Sequence, residues 1–158
     1  MRRFFKRPTL IAFSVALAAI TGVVISLLAG SRGGGYSVID GDTIELDDVG
    51  PVRYIGIDAP ERDEPYYEEA REYNAELLAR GEIEYTFDVE RHDQYGRTLA
   101  YVYVLEETGS RLFVNEELVR AGCARATAIG PNTRFATRFR RAERTARRLR
   151  RGLWRGEG

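Results

Sequence analysis

Three short segments place carboxylates and arginines at the ends of apolar, strand-forming runs. They are DGDT at 40–43, VRYIGIDAPE at 52–61 and HDQYGR at 92–97. If TIEL and VRYIGI pair as a hairpin around DDVG, Asp42 and Asp58 both lie at the end of the ladder away from the turn, where their carboxylates converge. A cation between them would relieve their repulsion, and oxygen ligands favour a hard ion such as calcium.

The neighbouring residues fit the same chemistry. Glu61 follows Asp58 closely, after Pro60 has stiffened the bend, and a carboxylate beside a hydrated metal is suited to take a proton from water. Arg53 and Arg97 carry guanidinium groups that hold phosphate oxygens bidentately, and charge accumulates on those oxygens as water attacks phosphorus. A metal, a base and two arginines together indicate phosphodiester hydrolysis.

Each segment alone has a simpler structural explanation. Asp-Gly-Asp is typical of a tight bend, because glycine accepts positive φ and aspartate hydrogen-bonds its neighbouring backbone. Asp-Ala-Pro-Glu is common where a loop leads into a helix, and Tyr-Gly-Arg is common at a hairpin tip. The order and spacing of the three segments, rather than any one of them, favour the catalytic interpretation.

The elements that must position these residues are short strands with helices between them. The runs YSVI, TIEL and VRYIGI, separated by turn residues, predict a meander of strands. Residues 64–80 are predicted to form an amphipathic helix, with Gly81 where a helix would stop. IEYTFDVE and RTLAYVYVLE are two further predicted strands, and RLFVNEELVRAG predicts a strand running into a short helix.

A last helix is predicted over residues 133–151, begun by Pro131, Asn132 and Thr133 and closed by Gly152. About five short strands with interposed helices predict a mainly β fold with helices, of the α+β class. Such an arrangement favours a small closed or partly closed barrel over a parallel array.

Read in chain order, the motifs DGDTIEL, VRYIGIDAPE, DQYGRTLAYVYV, VNEELVRAGCA and the late GLW closely resemble the staphylococcal nuclease family, the thermonucleases. The resemblance covers residues 36–154 and implies an OB-fold, a five-stranded barrel with about three helices. It also implies calcium-dependent hydrolysis of DNA and/or RNA with little sequence specificity, leaving 3′-phosphate ends.

The resemblance further implies roles for individual residues. The calcium ligands would be two carboxylates and one backbone carbonyl, those of Asp42, Asp58 and Ala59. The other matched residues would act on the substrate: Glu61 as the general base, Arg53 and Arg97 on the scissile phosphate, and Tyr95 at the terminal phosphate of the bound nucleotide.

Two departures from the family pattern concern substrate contacts. Gln94 replaces a lysine, and the segment CARATAIGPN at 123–132 has no tyrosines where the family places a pair against the bound base. Base stacking is worth about 1 to 3 kcal/mol, so weaker nucleotide affinity is expected. The alternative function is a non-catalytic OB-fold module that binds nucleic acid or a protein, but the catalytic set is complete here.

The first thirty residues predict a membrane anchor. Residues 1–9 are basic and would stay in the cytoplasm, whereas residues 10–30 carry no charge and span about 30 Å as a helix. A Gly-rich tether at 31–35 would then join the anchor to a single, monomeric nuclease domain at 36–154, outside the membrane. Signal cleavage after the small residues 29–31, which would give a secreted protein, is the alternative.

Charge is distributed unevenly along a chain whose formal net charge is zero. Residues 1–32 carry +5, residues 33–130 carry −13 and residues 131–158 carry +8. The arginines of the last helix could attract a nucleic acid backbone, or they could be a solvated face that balances the acidic block or lies near anionic lipid. Cys123 is the only cysteine, which excludes an internal disulfide and a cysteine-based zinc cluster, and we assign no role to His92.

Overall fold

The fold is known from a computed structural model that describes residues 31–32 and 35–156. The predicted basic terminus at 1–9 and the predicted anchor at 10–30 lie outside the described residues. Within the described residues, none of the helices has the length and apolar character needed to cross a membrane.

The described part of the chain is a mixed α+β structure with three α-helices. Its strands are β1 (Ser31–Arg32), β2 (Tyr36–Val38), β3 (Thr43–Leu46), β4 (Gly50–Tyr54), β5 (Ile57–Asp58), β6 (Gly81–Thr86), β7 (Thr98–Glu106), β8 (Arg111–Phe113) and β9 (Arg125–Ala126). Its helices are α1 (Tyr67–Leu78), α2 (Val114–Ala121) and α3 (Ala136–Arg148), and a 3₁₀ turn, Gly152–Trp154, follows α3. The predicted α+β class with three helices is therefore confirmed.

The main sheet has the strand order β1-β6-β7-β4-β3-β2, and β8 pairs with β7. Strands β2, β3 and β4 form the antiparallel meander that the sequence predicts, whereas β4 and β7 pair in parallel. Ser31 and Arg32, in the segment predicted as a tether, pair with β6. The two outer strands of this order, β1 and β2, are thus consecutive in the chain.

The β3–β4 hairpin brings the first two chemical segments together. Thr43 is opposite Arg53, and Leu46 is opposite Gly50 next to the turn. One step beyond Thr43, the backbone N–H of Tyr54 donates to the carbonyl of Asp42 at 2.8 Å. Asp42 and Arg53 therefore lie at the same end of the ladder, away from the turn.

Two helix boundaries differ from the prediction at 64–80. Helix α1 begins at Tyr67, because the chain first makes tight turns in which Glu64 N–H donates to the carbonyl of Glu61 and Tyr67 N–H to that of Glu64. Tyr66, between them, has a left-handed φ of 70°. At the other end, Gly81 is not a helix stop but the first residue of β6, since α1 ends at Leu78.

Helix α3 is shorter than the predicted 133–151 for a similar reason. Asn132, expected to begin the helix, instead accepts from Glu90 N–H at 2.8 Å and donates to the Glu90 carbonyl at 2.9 Å. Both hydrogen bonds of this amide go to the backbone just before the segment HDQYGR. Asn132 therefore does not begin the helix, which starts only at Ala136. The side chain thereby ties the approach to α3 to the loop at 90–97.

Helix α3 packs on the domain through one apolar face that includes Phe139, Ala142 and Ala146. Phe139 lies against Gly56, in the bend between β4 and β5, where φ is 80°. A Cβ at this glycine would lie 2.5 Å from Phe139 Cε2. Only glycine both adopts this φ without strain and lets the helix come so close to the bend.

Candidate active site

Asp42 sits immediately before β3 with its side chain buried. Its Oδ2 accepts a hydrogen bond from Ala59 N–H at 2.6 Å, and its Oδ1 accepts one from the Thr43 hydroxyl at 3.1 Å. Asp40 Oδ1 accepts from Asp42 N–H at 2.9 Å, so the first aspartate of the motif shapes the bend that presents the second.

The buried position gives Asp42 an unusual affinity for protons. Desolvation raises the pKa of this carboxyl to about 7, although Arg53 and the hydrogen bond from Ala59 N–H act in the opposite direction. The ionised form is thus poorly stabilised by the protein alone. A bound cation would favour the ionised form and bring the pKa down again.

Arg53 joins the two predicted metal-binding carboxylates. Its Nη1 is 3.0 Å from Asp42 Oδ2, and its Nη2 is 2.9 Å from Asp58 Oδ1. Nη1 also donates to the backbone carbonyls of Ile57, at 2.9 Å, and Tyr54, at 3.0 Å. The fold therefore holds this guanidinium in one orientation between the two carboxylates, one buried and the other exposed.

A buried asparagine supports this corner, and sequence reasoning missed it. Asn74 Oδ1 accepts from the Tyr54 hydroxyl, and its Nδ2 donates to the Asp40 carbonyl, both at 3.0 Å. Burial raises the pKa of Tyr54, so its hydroxyl remains a proton donor. The available signal was an asparagine on the apolar face of the predicted helix, between Ala70 and Leu77.

Arg97 is held by a second carboxylate that sequence reasoning also missed. Asp93 Oδ2 is 2.7 Å from Arg97 Nε, and Asp93 Oδ1 accepts from the backbone N–H groups of Tyr95 and Arg97, each at 2.9 Å. Burial alone would raise the pKa of Asp93, but these hydrogen bonds outweigh it and hold the pKa below the ordinary value. The signal was an acid four residues before the arginine in a glycine-containing loop.

Three of the predicted residues meet at one cavity of about 470 Å³: Arg53, Tyr95 and Arg97. The Tyr95 side chain is 75% exposed, and the Arg97 guanidinium lies 5.6 Å from its ring centroid. The other wall of the cavity is the segment 127–132, which leads into α3. His92 lines the cavity as well.

The other predicted residues lie outside this lining. Asp58 and Ala59 line a second cavity of about 390 Å³, and Asp42 is buried behind them. Glu61 lines neither cavity, and its exposed carboxylate has no hydrogen bond or ion pair to the described residues. Arg53 is the residue that connects the two groups, because it touches both carboxylates and lines the first cavity.

The candidate ligand atoms are oxygens, which suit a hard cation, but the site provides few of them. Two carboxylates converge on one positive group, and the Ala59 backbone is hydrogen-bonded to the deeper of them. Over residues 31–32 and 35–156, no three or more His, Cys, Asp or Glu side chains are grouped as a metal site. Calcium takes about six to eight oxygen ligands, so carbonyls, water and substrate would have to supply most of them.

The departures from the family pattern fall on the rim of the first cavity. Gln94 and Ile129 both line it, and the Ile129 side chain is 72% exposed. The rim therefore presents an aliphatic side chain in the segment where the family pattern places aromatic rings. An aliphatic side chain gives a base apolar contact without the stacking energy of a ring.

Residues 51–156 match the family described as staphylococcal nuclease homologues. The chain therefore belongs to the staphylococcal nuclease family, which confirms the resemblance seen in its motifs.

Individual relatives support the same assignment. The chain is 36% identical over 126 residues to the thermonuclease of Staphylococcus hyicus, covering 74% of this chain and 72% of the relative. It is 37% identical over 131 residues to endonuclease YncB of Bacillus subtilis, covering 76% of this chain but 60% of that relative. It is 34% identical over 148 residues to the micrococcal nuclease of Shigella flexneri, covering 89% and 83%.

Proposed function

We propose that this protein is a calcium-dependent nuclease that hydrolyses DNA and/or RNA phosphodiester bonds with little sequence specificity. The observation that carries the proposal is the position of Arg53, which bridges Asp42 and Asp58 and lines the same cavity as Arg97. Family membership supports it, since the relatives are named as a thermonuclease, an endonuclease and a micrococcal nuclease.

The two arginines would bind the non-bridging oxygens of the scissile phosphate. Each is already held by a carboxylate, Arg53 by Asp42 and Asp58 and Arg97 by Asp93. The remaining N–H donors of each fixed guanidinium therefore need little reorganisation as negative charge develops on the phosphate, and preorganised donors of this kind stabilise a transition state most effectively.

Calcium would be held by the carboxylates of Asp42 and Asp58 and by the backbone carbonyl of Ala59. When bound, the ion would supply positive charge beside the scissile phosphate. Asp42 contributes a rigid oxygen, because its hydrogen bonds to Ala59 N–H and to the Thr43 hydroxyl fix the carboxylate plane. Asp58 contributes an exposed one, with a side chain that is 61% accessible.

Glu61 would act as the general base. Its backbone is fixed by reciprocal hydrogen bonds with Glu64, at 3.0 Å and 2.8 Å, while its carboxylate is free to accept a proton. The proton leaves the attacking water as its oxygen bonds to phosphorus. The bond from phosphorus to the 5′ oxygen breaks, that oxygen takes a proton from solvent, and a 3′-phosphate remains.

The cavity supports low sequence specificity. Tyr95 would contact the terminal phosphate of the bound nucleotide, and Ile129 offers apolar surface to a base. Phosphate contacts position a strand without reading its sequence, and sequence is read by hydrogen bonds to base edges. A site built mainly from arginines and apolar rims should therefore accept all four bases.

The finer architecture and location are part of the proposal. The consecutive strands β1 and β2 are the two end strands of the main sheet, which supports closure into an OB-type barrel. The basic segment 1–9 and the uncharged segment 10–30 support an anchor that leaves a monomeric domain outside the membrane.

The test is cleavage of single-stranded DNA, double-stranded DNA and RNA by the full chain, with calcium and with EDTA. Glu61→Gln should lower turnover about 10²- to 10⁴-fold, the usual contribution of a general base. Glu72→Gln, the same change at an exposed position on α1, is the matched control and should leave turnover unchanged. Binding of nucleic acid without any calcium-dependent cutting would overturn the proposal in favour of a binding module.

A further inference from the structure

The outer face of α3 carries four arginines, Arg140, Arg141, Arg144 and Arg148, which we call the arginine stripe. All are exposed. At 100° per residue they lie within about a 100° arc on the side opposite the buried face of Phe139, Ala142 and Ala146. The stripe is therefore as far from the protein core as the helix allows.

Within the described residues, the stripe differs from the other arginines of residues 134–148 because it has no acidic partner. Arg134, Arg138 and Arg147 pair with Asp88, Glu116 and Glu143 respectively. In the part of the chain that the structure describes, no carboxylate lies within ion-pair distance of the stripe, and Arg140 alone has a side-chain hydrogen bond, to the Thr137 hydroxyl at 3.3 Å. The positive charge of this face is uncompensated.

Such an arrangement is unfavourable for the free protein. Arginines spaced three or four residues apart face one another on a helix, and like charges at that spacing destabilise it. Glu143, the one acid within α3, does not relieve them, because its carboxylate accepts from Ala126 N–H at 3.2 Å and lies 3.9 Å from Arg147. An anionic ligand would remove the repulsion.

The position of α3 next to the cavity indicates which anion. The segment 127–132 forms one wall of the cavity and leads directly into the helix. Asn132, through its paired hydrogen bonds with Glu90, and Phe139, through its contact with Gly56, hold the helix against that wall. A chain of phosphates leaving the cavity on this side would run onto the stripe.

We propose that the arginine stripe binds the phosphate backbone of a nucleic acid strand whose scissile bond occupies the cavity. The proposal rests on the proposed function for the class of ligand. From Arg140 to Arg148 the helix rises about 12 Å, and one strand of a duplex carries a phosphate about every 3.4 Å along its axis, so the stripe matches three or four consecutive phosphates. Guanidinium groups bind such oxygens without regard to sequence.

The same face is poorly suited to a bilayer surface. A helix that lies in a membrane interface needs an exposed apolar face to insert. The apolar residues of α3 are buried against the domain, and Leu149, just beyond its end, is the one exposed large apolar side chain within the described residues 134–156. Anionic lipid would therefore attract this face only through charge. Binding to lipid vesicles can be measured separately from binding to nucleic acid.

The test compares two triple variants of the full chain that lose the same charge. The stripe variant is Arg141→Gln, Arg144→Gln and Arg148→Gln. The control variant is Arg62→Gln, Arg71→Gln and Arg80→Gln, which changes arginines on and beside α1, away from the cavity lining. Glutamine keeps a good helix propensity, so both should fold, as circular dichroism and thermal melting will verify.

Affinity for a 30-base-pair DNA duplex is measured in EDTA, so that binding is observed without cutting. The stripe variant should bind about 10- to 100-fold more weakly at 0.1 M salt, and its plot of log affinity against log salt should be less steep by about 2. The control variant should stay within about twofold of the parent. In calcium, a trinucleotide, chosen to be too short to reach the stripe from the cavity, should be cut equally by parent and stripe variant.

Equal affinities and salt slopes for the two triple variants would overturn the proposal. Loss of binding to anionic but not neutral phosphatidylcholine vesicles, with oligonucleotide binding unchanged, would overturn it in favour of lipid. Because affinity is measured in EDTA, a protein that never cuts can still pass or fail this test. Failure of the proposed function and failure of the stripe are therefore separate results.

Discussion

The arginines of the cavity and the arginines of the stripe, both proposed to bind phosphate, differ in the partners that the protein gives them. Arg53 and Arg97 are each locked to carboxylates, at 2.9 to 3.0 Å and 2.7 Å respectively. The stripe residues on α3 have no such partners within the described part of the chain. One region fixes the direction of its donors, and the other leaves its side chains free to follow a ligand.

This difference separates two uses of one side chain. A carboxylate beside an arginine cancels part of the arginine's positive charge and weakens its long-range attraction for anions. The same carboxylate fixes the guanidinium in the geometry that a transition state requires. An unpaired arginine keeps its full field and its rotamer freedom, which suits capture of a flexible polyanion. We expect substitutions in the cavity to change turnover and substitutions on the stripe to change affinity.

Arg97→Gln should give the largest effect. By comparison with arginines in other phosphoryl transfers, turnover should fall about 10³- to 10⁵-fold. The thermal midpoint should change little, because the Arg97 side chain is 35% exposed and solvent screens its ion pair with Asp93. Single-turnover cleavage measures the rate, with Arg91→Gln from the same loop as the control. Equal turnover in variant and parent would remove Arg97 from the mechanism and erase the distinction between the two regions.

Asp42→Asn keeps one oxygen that can contact calcium, so calcium-dependent activity should fall by less than in Arg97→Gln, and yet the metal-free protein should become more stable. The folded pKa of Asp42, about 7, lies above its ordinary value of 3.8, so the folded state binds this proton more tightly than the unfolded chain. The contribution of Asp42 to metal-free stability should therefore fall as pH rises from about 4 to 7, and the variant should escape this loss of about 2 to 4 kcal/mol.

Thermal melts in EDTA across that pH range measure the effect. The midpoints of parent and Asp42→Asn should be close at pH 4 and should diverge in favour of the variant by pH 8. A difference between the two midpoints that stays constant over this range would mean that Arg53 compensates the buried charge fully.

Asp93→Asn should lower turnover by less than loss of Arg97 itself. The variant keeps an oxygen for the backbone N–H groups of Tyr95 and Arg97 but loses the ion pair to the guanidinium, so the donor is present and less well fixed. We expect a decrease of about 10- to 100-fold in kcat, as for loss of a supporting group around a site, with oligonucleotide affinity unchanged. Asp63→Asn, at an exposed position, is the control. A change in oligonucleotide affinity without a change in kcat would mean that Asp93 alters the charge of the site and does not position Arg97.

Arg144→Gln should give the smallest effect. One contact among several to a flexible strand should change affinity only about two- to fivefold, with kcat on a trinucleotide unaltered. Anisotropy titrations at two salt concentrations measure it, beside Arg80→Gln. A large change in kcat from this substitution would mean that the stripe, like the cavity, works through fixed geometry.

The sequence allowed the hairpin and its consequences to be predicted because they depend on local rules. Period-two alternation and the turn residues of DDVG set the register that places Arg53 beside Asp42, with Asp58 just beyond the strand. The family assignment followed from motif order. The α+β class and the three helices were predictable for the same reason.

What could not be predicted depends on contacts between distant segments. Asn132 has the composition of a helix start, but its amide is used by Glu90, 42 residues earlier in the chain. Asn74 lies 34 residues after the Asp40 carbonyl that it binds. Gly81 lies just after a helix, but its pairing with β7 makes it the first residue of a strand. Local propensity is the weaker influence wherever a long-range hydrogen bond competes with it.

The close contact of Gly56 with Phe139 has a consequence for digestion products. Because this contact leaves α3 little freedom to slide along the cavity wall, the interval between the cut bond and the stripe should be nearly constant, as on a ruler. Strands long enough to reach the stripe would be cut quickly, and shorter ones slowly. Fragments just below that reach should therefore accumulate as a discrete size class during a time course.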